Sequence, residues 1–219
     1  MRASAAVHIP LKTAMVPHEN QHHPDLGEGR IEVICGPMFS GKTEELLRRI
    51  RRARIARQPT LIFKPATDTR WDVDKVTSHD ANAVDSVRVK DSADIRAWID
   101  GLERPVTVVA IDEVQFFDDA LPALCTELAN EGMRVIAAGL DLDFTGTPFG
   151  CMPELLARAE EVTKLHAICL ETGRTAHFSH RIAGGEATVE LGATDRYIPL
   201  TRAAFVEARR QAALQKAGK

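Results

Sequence analysis

Eight consecutive residues constrain this chain more than any others: Gly36-Pro37-Met38-Phe39-Ser40-Gly41-Lys42-Thr43 fit GxxxxGK[ST] at every fixed position. The flanks give the pattern its meaning. Ile31-Glu32-Val33-Ile34-Cys35 is a short, β-branched run that reads as a buried strand. Thr43 to Arg57 carries Leu46, Leu47, Ile50, Ala53 and Ile55 at helical spacing, with arginines on the other face. Strand, glycine-bracketed loop and helix together make a phosphate cradle. Successive backbone N–H groups turn inward toward phosphate oxygens, glycines permit the curvature, and the helix adds its positive end. In such a cradle Lys42 reaches the β- and γ-phosphates of ATP, and the Thr43 hydroxyl ligates Mg²⁺.

A second buried strand supplies the acids such a site needs. Val108-Val109-Ala110-Ile111 runs into Asp112-Glu113. Asp112 is expected in the Mg²⁺ shell. Glu113 sits one residue on, at the strand's carboxyl edge, where a carboxylate can accept a proton from water or a substrate hydroxyl. Other apolar runs are Thr60 to Phe63, closed by Pro65, and Met133 to Ala138. Ala120 to Glu131 reads as a helix stopped by Gly132. Strands alternating with helices predict an α/β fold, a P-loop NTPase-like, mostly parallel sheet flanked by helices. Residues 170–196 are polar and Gly/Thr-rich, so they read as a covering segment or a small β-appendage, and Thr201 to Lys216 as a final helix. The expected divisions are an arm (1–29), a kinase-like body (30–164), an appendage (165–205) and a tail (206–219).

Composition excludes other classes. With 44% apolar and 27% charged residues in 219, the chain can bury a core without staples. The net charge of −3 and pI near 6.2 give no beacon for nucleic acid or anionic membrane. Cys35, Cys125, Cys151 and Cys169 form no Cys-x-x-Cys pair and read as reduced thiols. No apolar stretch approaches the roughly 18 residues of a membrane span, and the N-terminus lacks a signal-peptide core, so a cytoplasmic protein is expected. His8, His18, His22 and His23 read as a solvated tail. Arg48, Arg49, Arg51, Arg52, Arg54 and Arg57 crowd the helix after the loop. A solvated or acid-paired outer face is expected there. The rival is a nucleic-acid stripe on a P-loop ATPase.

Three blocks taken together resemble the type II thymidine kinases. They are the loop, with Pro37, Met38 and Phe39 inside it, then Asp112-Glu113-Val114-Gln115-Phe116-Phe117, then Gly139-Leu140-Asp141-Leu142-Asp143-Phe144-Thr145-Gly146-Thr147-Pro148-Phe149-Gly150. Thr67-Asp68-Thr69-Arg70 is similar to a fourth family segment. The resemblance spans about residues 30–205. It implies transfer of the ATP γ-phosphate to the 5′-hydroxyl of thymidine, and of deoxyuridine, by a homotetramer. It assigns Glu113 as base and Arg70 to the reacting phosphates, with Asp68, Val114 and Gln115 on the ATP side. Met38, Phe116, Leu140, Phe144 and Phe149 fall on nucleoside-pocket positions; flat apolar faces of thymine suit aromatic and thioether side chains. Phe178-Ser179-His180-Arg181 resembles the start of a lasso over the nucleoside, and Val189 to Tyr197 its return. That places Ser179, Val189, Leu191, Gly192 and Tyr197 against substrate. Gly192-Ala193 stands where the family has two glycines.

The family pins its lasso base with zinc on two Cys-x-x-Cys pairs. Here those positions read Cys169-Leu170-Glu171-Thr172 and Thr201-Arg202-Ala203-Ala204. One thiolate cannot hold a structural Zn²⁺, which takes four N or S ligands, so no zinc is expected. His166, Cys169, His177 and His180 are spaced as an alternative ligand set, against a default of hydrogen-bonded or solvated histidines.

Overall fold

The apolar runs form one sheet, parallel throughout. A computed structural model describes residues 28–67, 75–77, 83–182 and 196–217; of 75–77, 83–85 and 215–217 it gives the backbone alone. In chain order come β1 (Arg30–Cys35), α1 (Lys42–Ile55), β2 (Thr60–Pro65), the antiparallel pair β3 (Lys75–Thr77) and β4 (Ala83–Asp85), β5 (Val87–Val89) and α2 (Ser92–Asp100). Then follow β6 (Val108–Ile111), α3 (Leu121–Asn130), β7 (Arg134–Gly139), α4 (Met152–Arg158) and β8 (Glu161–Lys164). The chain continues through β9 (Ala167–Ile168), β10 (Thr175–Ala176), β11 (Phe178–Arg181), β12 (Tyr197–Leu200) and α5 (Arg202–Ala217).

The sheet order is β5-β2-β6-β7-β1-β8. Alternation along the strands splits the core in two. Ile34, Val108, Ala110, Ile136 and Ala138 pack under Leu46, Leu47, Ile50 and Ala53 of α1. Val33, Cys35, Val109, Ile111 and Val135 face the other way, onto Leu121, Leu124 and Leu128 of α3 and Leu155 of α4. Burying both faces makes the strands continuous apolar runs, the α/β signature expected. All four cysteines are free and buried. Burial pushes the Cys125 and Cys151 thiols up to about 12, so they stay protonated and inert.

α1 differs from its expected pattern at two positions. Ile55, placed by spacing on the apolar face, is 82% exposed because the helix ends there, past the sheet. Arg49, placed on the solvated face, is buried because Glu32 draws it inward. Glu32 is wholly buried on β1. It accepts from Arg49 Nη1 at 2.7 Å, from Arg134 Nε and Nη2 at 2.6 and 2.8 Å, and from Arg30 Nε at 2.8 Å. Arg49 also holds Glu45 at 2.8 Å, Thr163 at 2.8 Å and Glu161 at 3.0 Å. This network joins α1 to β1, β7 and β8. Burial alone would raise the Glu32 carboxyl, but Arg134, Arg30 and Arg49 outweigh it and bring it down to about 2.

Past β8 the chain builds a second, smaller core from Ala167, Cys169, Ala176, Phe178, Leu200 and Phe205. β9 pairs with β10 and β11 with β12, both antiparallel. Phe178 and Phe205 stack with centroids 4.5 Å apart. α5 starts at Arg202 and runs on past residue 205, so its first turn belongs to this core.

Candidate active site

The Gly36–Thr43 loop leaves the carboxyl end of β1 with a backbone that needs glycine. Gly36 has φ 143°, and a Cβ there would lie 2.3 Å from the Leu165 carbonyl oxygen. Gly41 begins α1 at φ 84°. Phe39 takes φ 63°, which few residues other than glycine adopt. Ser40 Oγ and Lys42 Nζ both donate to the Pro37 carbonyl at 2.8 Å, curling the loop on itself. The Met38 N–H donates to Ser179 Oγ at 2.9 Å, so the buried serine of β11 ties the appendage to the loop.

At the carboxyl end of β6, Asp112 is buried, and its Oδ1 accepts from the Glu113 N–H at 3.0 Å. Glu113 is half-buried in the left-handed region at φ 53° and opens a single helical turn, Val114–Phe116. Such a backbone costs on the order of 1–3 kcal/mol and clusters at functional sites. Buried Gln115 holds the carboxylate: its Nε2 donates to Glu113 Oε2, while its Oε1 accepts from the Leu140 N–H at 3.0 Å. A Cβ at Gly139 would fall 2.6 Å from that Oε1, which is why β7 ends in glycine. Val114 is part of the core, and its carbonyl accepts from Cys151 Sγ at 3.2 Å.

Two of the aromatic positions meet beyond this turn. Phe116 and Phe149 meet edge to face at 5.6 Å. Between Leu140 and Phe149 the chain folds on Asp143, whose Oδ1 accepts from the N–H groups of Thr145 at 2.8 Å and Thr147 at 3.0 Å. Arg181 lies 3.7 Å above the Phe144 ring and donates to the Tyr197 hydroxyl at 3.1 Å. Sequence reasoning gave Arg181 no role, since a cation between two aromatics becomes visible only once β11 and β12 pair. It also missed Lys164, whose Nζ is 2.7 Å from buried Asp141 Oδ2. Asp68, Arg70, Val189, Leu191 and Gly192 lie outside the described residues.

At the lasso base, the residues present do not fit zinc. Cys169 keeps company with Thr172 and Thr201, neither of which supplies a thiolate. The alternative set does not assemble: His166 and His177 meet at 4.5 Å between ring centroids, but His180 lies against Phe205. Among the described residues no three His, Cys, Asp or Glu side chains gather as a metal site. The small apolar core is what holds this region. Treating the protein with a chelator and then restoring Mg²⁺ is therefore expected to leave its melting temperature and turnover unchanged. About one zinc per chain by elemental analysis would overturn that.

Comparison with known proteins agrees with this geometry. The model of the thymidine kinase family matches residues 29–205. The thymidine kinase of Bacteroides thetaiotaomicron is 54% identical over 181 residues, 83% of this chain and 89% of that protein. That of Porphyromonas gingivalis is 52% identical over 187 residues, 85% and 90% of the two chains. That of Deinococcus radiodurans is 47% identical over 188 residues, 80% and 89%.

Proposed function

The chain belongs to the thymidine kinase family, and from that premise we propose how its own residues transfer the ATP γ-phosphate to the 5′-hydroxyl of thymidine. One observation carries the reading: the loop after β1 and the Asp112–Glu113 pair after β6 open at the same carboxyl edge of one parallel sheet. The triphosphate lies on Gly36 to Thr43, with the loop N–H groups and Lys42 facing its β- and γ-phosphates. Lys42 exchanges its bond to the Pro37 carbonyl for phosphate oxygens. Thr43 and Asp112 offer the hard oxygen donors that suit Mg²⁺, which when bound offsets phosphate charge.

Thymidine sits between Met38, Phe116, Leu140, Phe144 and Phe149, under the segment that Ser179 and Tyr197 bracket. Glu113 accepts the 5′-hydroxyl proton as the oxygen bonds to the γ-phosphorus and the bond to the ADP oxygen breaks. Gln115 fixes the carboxylate's direction, and Arg181 holds Phe144 and Tyr197 in place. In this scheme residues 30–164 carry the phosphate chemistry and 165–205 cover the nucleoside. Asp68 and Arg70 join the phosphate side by family resemblance, and Val189, Leu191 and Gly192 the nucleoside side. A cytoplasmic homotetramer acting in nucleotide salvage follows from the same resemblance. Among the described residues, no helix is long and apolar enough to cross a membrane.

An ATP-dependent phosphorylation assay across a nucleoside panel tests the reading. Thymidine and deoxyuridine are expected as substrates, with no stimulation of ATP consumption by DNA or RNA. Failure to phosphorylate thymidine, or several-fold stimulation by a polynucleotide, would overturn it.

A further inference from the structure

Thr172, Thr201 and Ala204, three of the positions where the family's thiolates would stand, all line a cavity of about 770 Å³. The charge of that cavity is the reverse of a metal site's. Lys164, Arg174 and Arg202 line it, against one acid, Glu171. Lys164 is already paired with Asp141. Arg174 and Arg202 make no ion pair with the described residues. Arg202 instead lies 4.9 Å over the Phe178 ring, a cation–π contact at the edge of the cavity. The hydroxyls of Thr172, Thr175 and Thr201 share the lining, with Leu142 and Phe178 as an apolar wall. The volume is that of a small-molecule site.

We propose that this cavity binds a phosphate-type oxyanion carried by a small molecule. Guanidinium pairs match phosphate oxygens bidentately, and hydroxyls complete such a shell. A divalent cation in the same place would face Lys164, Arg174 and Arg202. The first turn of α5, a sixteen-residue helix, opens at the cavity, and although its Ala204 N–H already donates to Thr201 Oγ1 at 3.3 Å, the helix adds its positive end there. An oxyanion held there touches the β9–β10 turn and the start of α5 at once. It joins the segments that a zinc ion joins in the family, with the charge inverted, and it stabilises the folded lasso base by mass action.

The test must separate this site from the phosphate loop, which also takes phosphates. Pyrophosphate is titrated calorimetrically into the full-length protein, into Lys42→Ala and into Arg174→Gln/Arg202→Gln. Lys42→Ala is expected to retain one pyrophosphate site and a melting temperature that rises with pyrophosphate. The arginine double variant is expected to lose at least about tenfold in affinity for that site while still phosphorylating thymidine, since one bidentate charge-assisted pair is worth more than a kilocalorie. Loss of binding in Lys42→Ala with none in the double variant would assign all of it to the phosphate loop and overturn the proposal. If the double variant does not fold, Arg174→Gln, on an exposed turn, serves instead. Several-fold weakening supports the site, and unchanged affinity overturns it.

Discussion

Replacing Glu113 by glutamine is expected to leave ATP and thymidine bound and to lower kcat by about 10²–10⁴-fold, the usual worth of a positioned general base. The substitution keeps the shape, and an amide oxygen can still accept from Gln115. What it removes is a group that can take a proton. The backbone supplies a second readout. Glu113 holds φ 53°, a conformation glycine adopts freely. Glu113→Gly should therefore match the loss of turnover while gaining stability, on the order of 1 kcal/mol. Steady-state kinetics with both substrates, beside thermal melts of the two variants, checks both halves. Near-normal kcat in the glutamine variant would remove Glu113 from the mechanism.

Glu32→Gln is expected to be the most damaging substitution away from the site. Glu32 is wholly buried and accepts from three arginines on three strands and helices. A neutral amide would leave the partly buried Arg134 and Arg30 without their counter-charge and Arg49 with only Glu45 and Glu161, a change that costs up to about 3–5 kcal/mol. The pH dependence has a definite sign. The folded carboxyl titrates near 2, below its ordinary value of 4.5. The stabilisation is therefore full above about pH 4.5 and fades as pH falls toward 2. Urea unfolding at neutral pH should separate the two proteins widely. By pH 2 the gap should have narrowed. A gap that stays constant from pH 7 to pH 2 would mean the carboxylate's charge is not what holds the network.

These two residues also show what the sequence makes legible. Strand, loop and helix around Gly36 to Thr43 could be read because each requirement is local: β-branched residues, glycines at strained φ, a helical stripe. Glu113 could be read because it follows an unbroken apolar strand. Glu32 could not, because its burial depends on Arg49, Arg134 and Arg30 converging from separate elements. β8 escaped notice since Glu-Val-Thr-Lys is a polar edge strand, and α4 because seven residues give too short a stripe. α2 carried a signal that could have found it: the Asp91 side chain caps the helix by accepting from the Asp94 N–H at 3.0 Å. The aromatic positions were legible as a list, but the placing of Arg181 against Phe144 and Tyr197 was not.

The hydrogen bond from the Met38 N–H to Ser179 Oγ spans 141 residues, and that separation sets an order of events during synthesis. Every strand of the sheet is complete by Lys164. A nascent chain of that length can assemble its hydrophobic layers while Met38 still lacks its partner. The Gly36–Thr43 loop gains this contact only once Ser179 has left the ribosome. Contacts so far apart along a chain form late. A chain that folds as it is made is therefore expected to complete the Gly36–Thr43 loop after its sheet, and chains cut short before β11 should be folded proteins that handle nucleotide poorly.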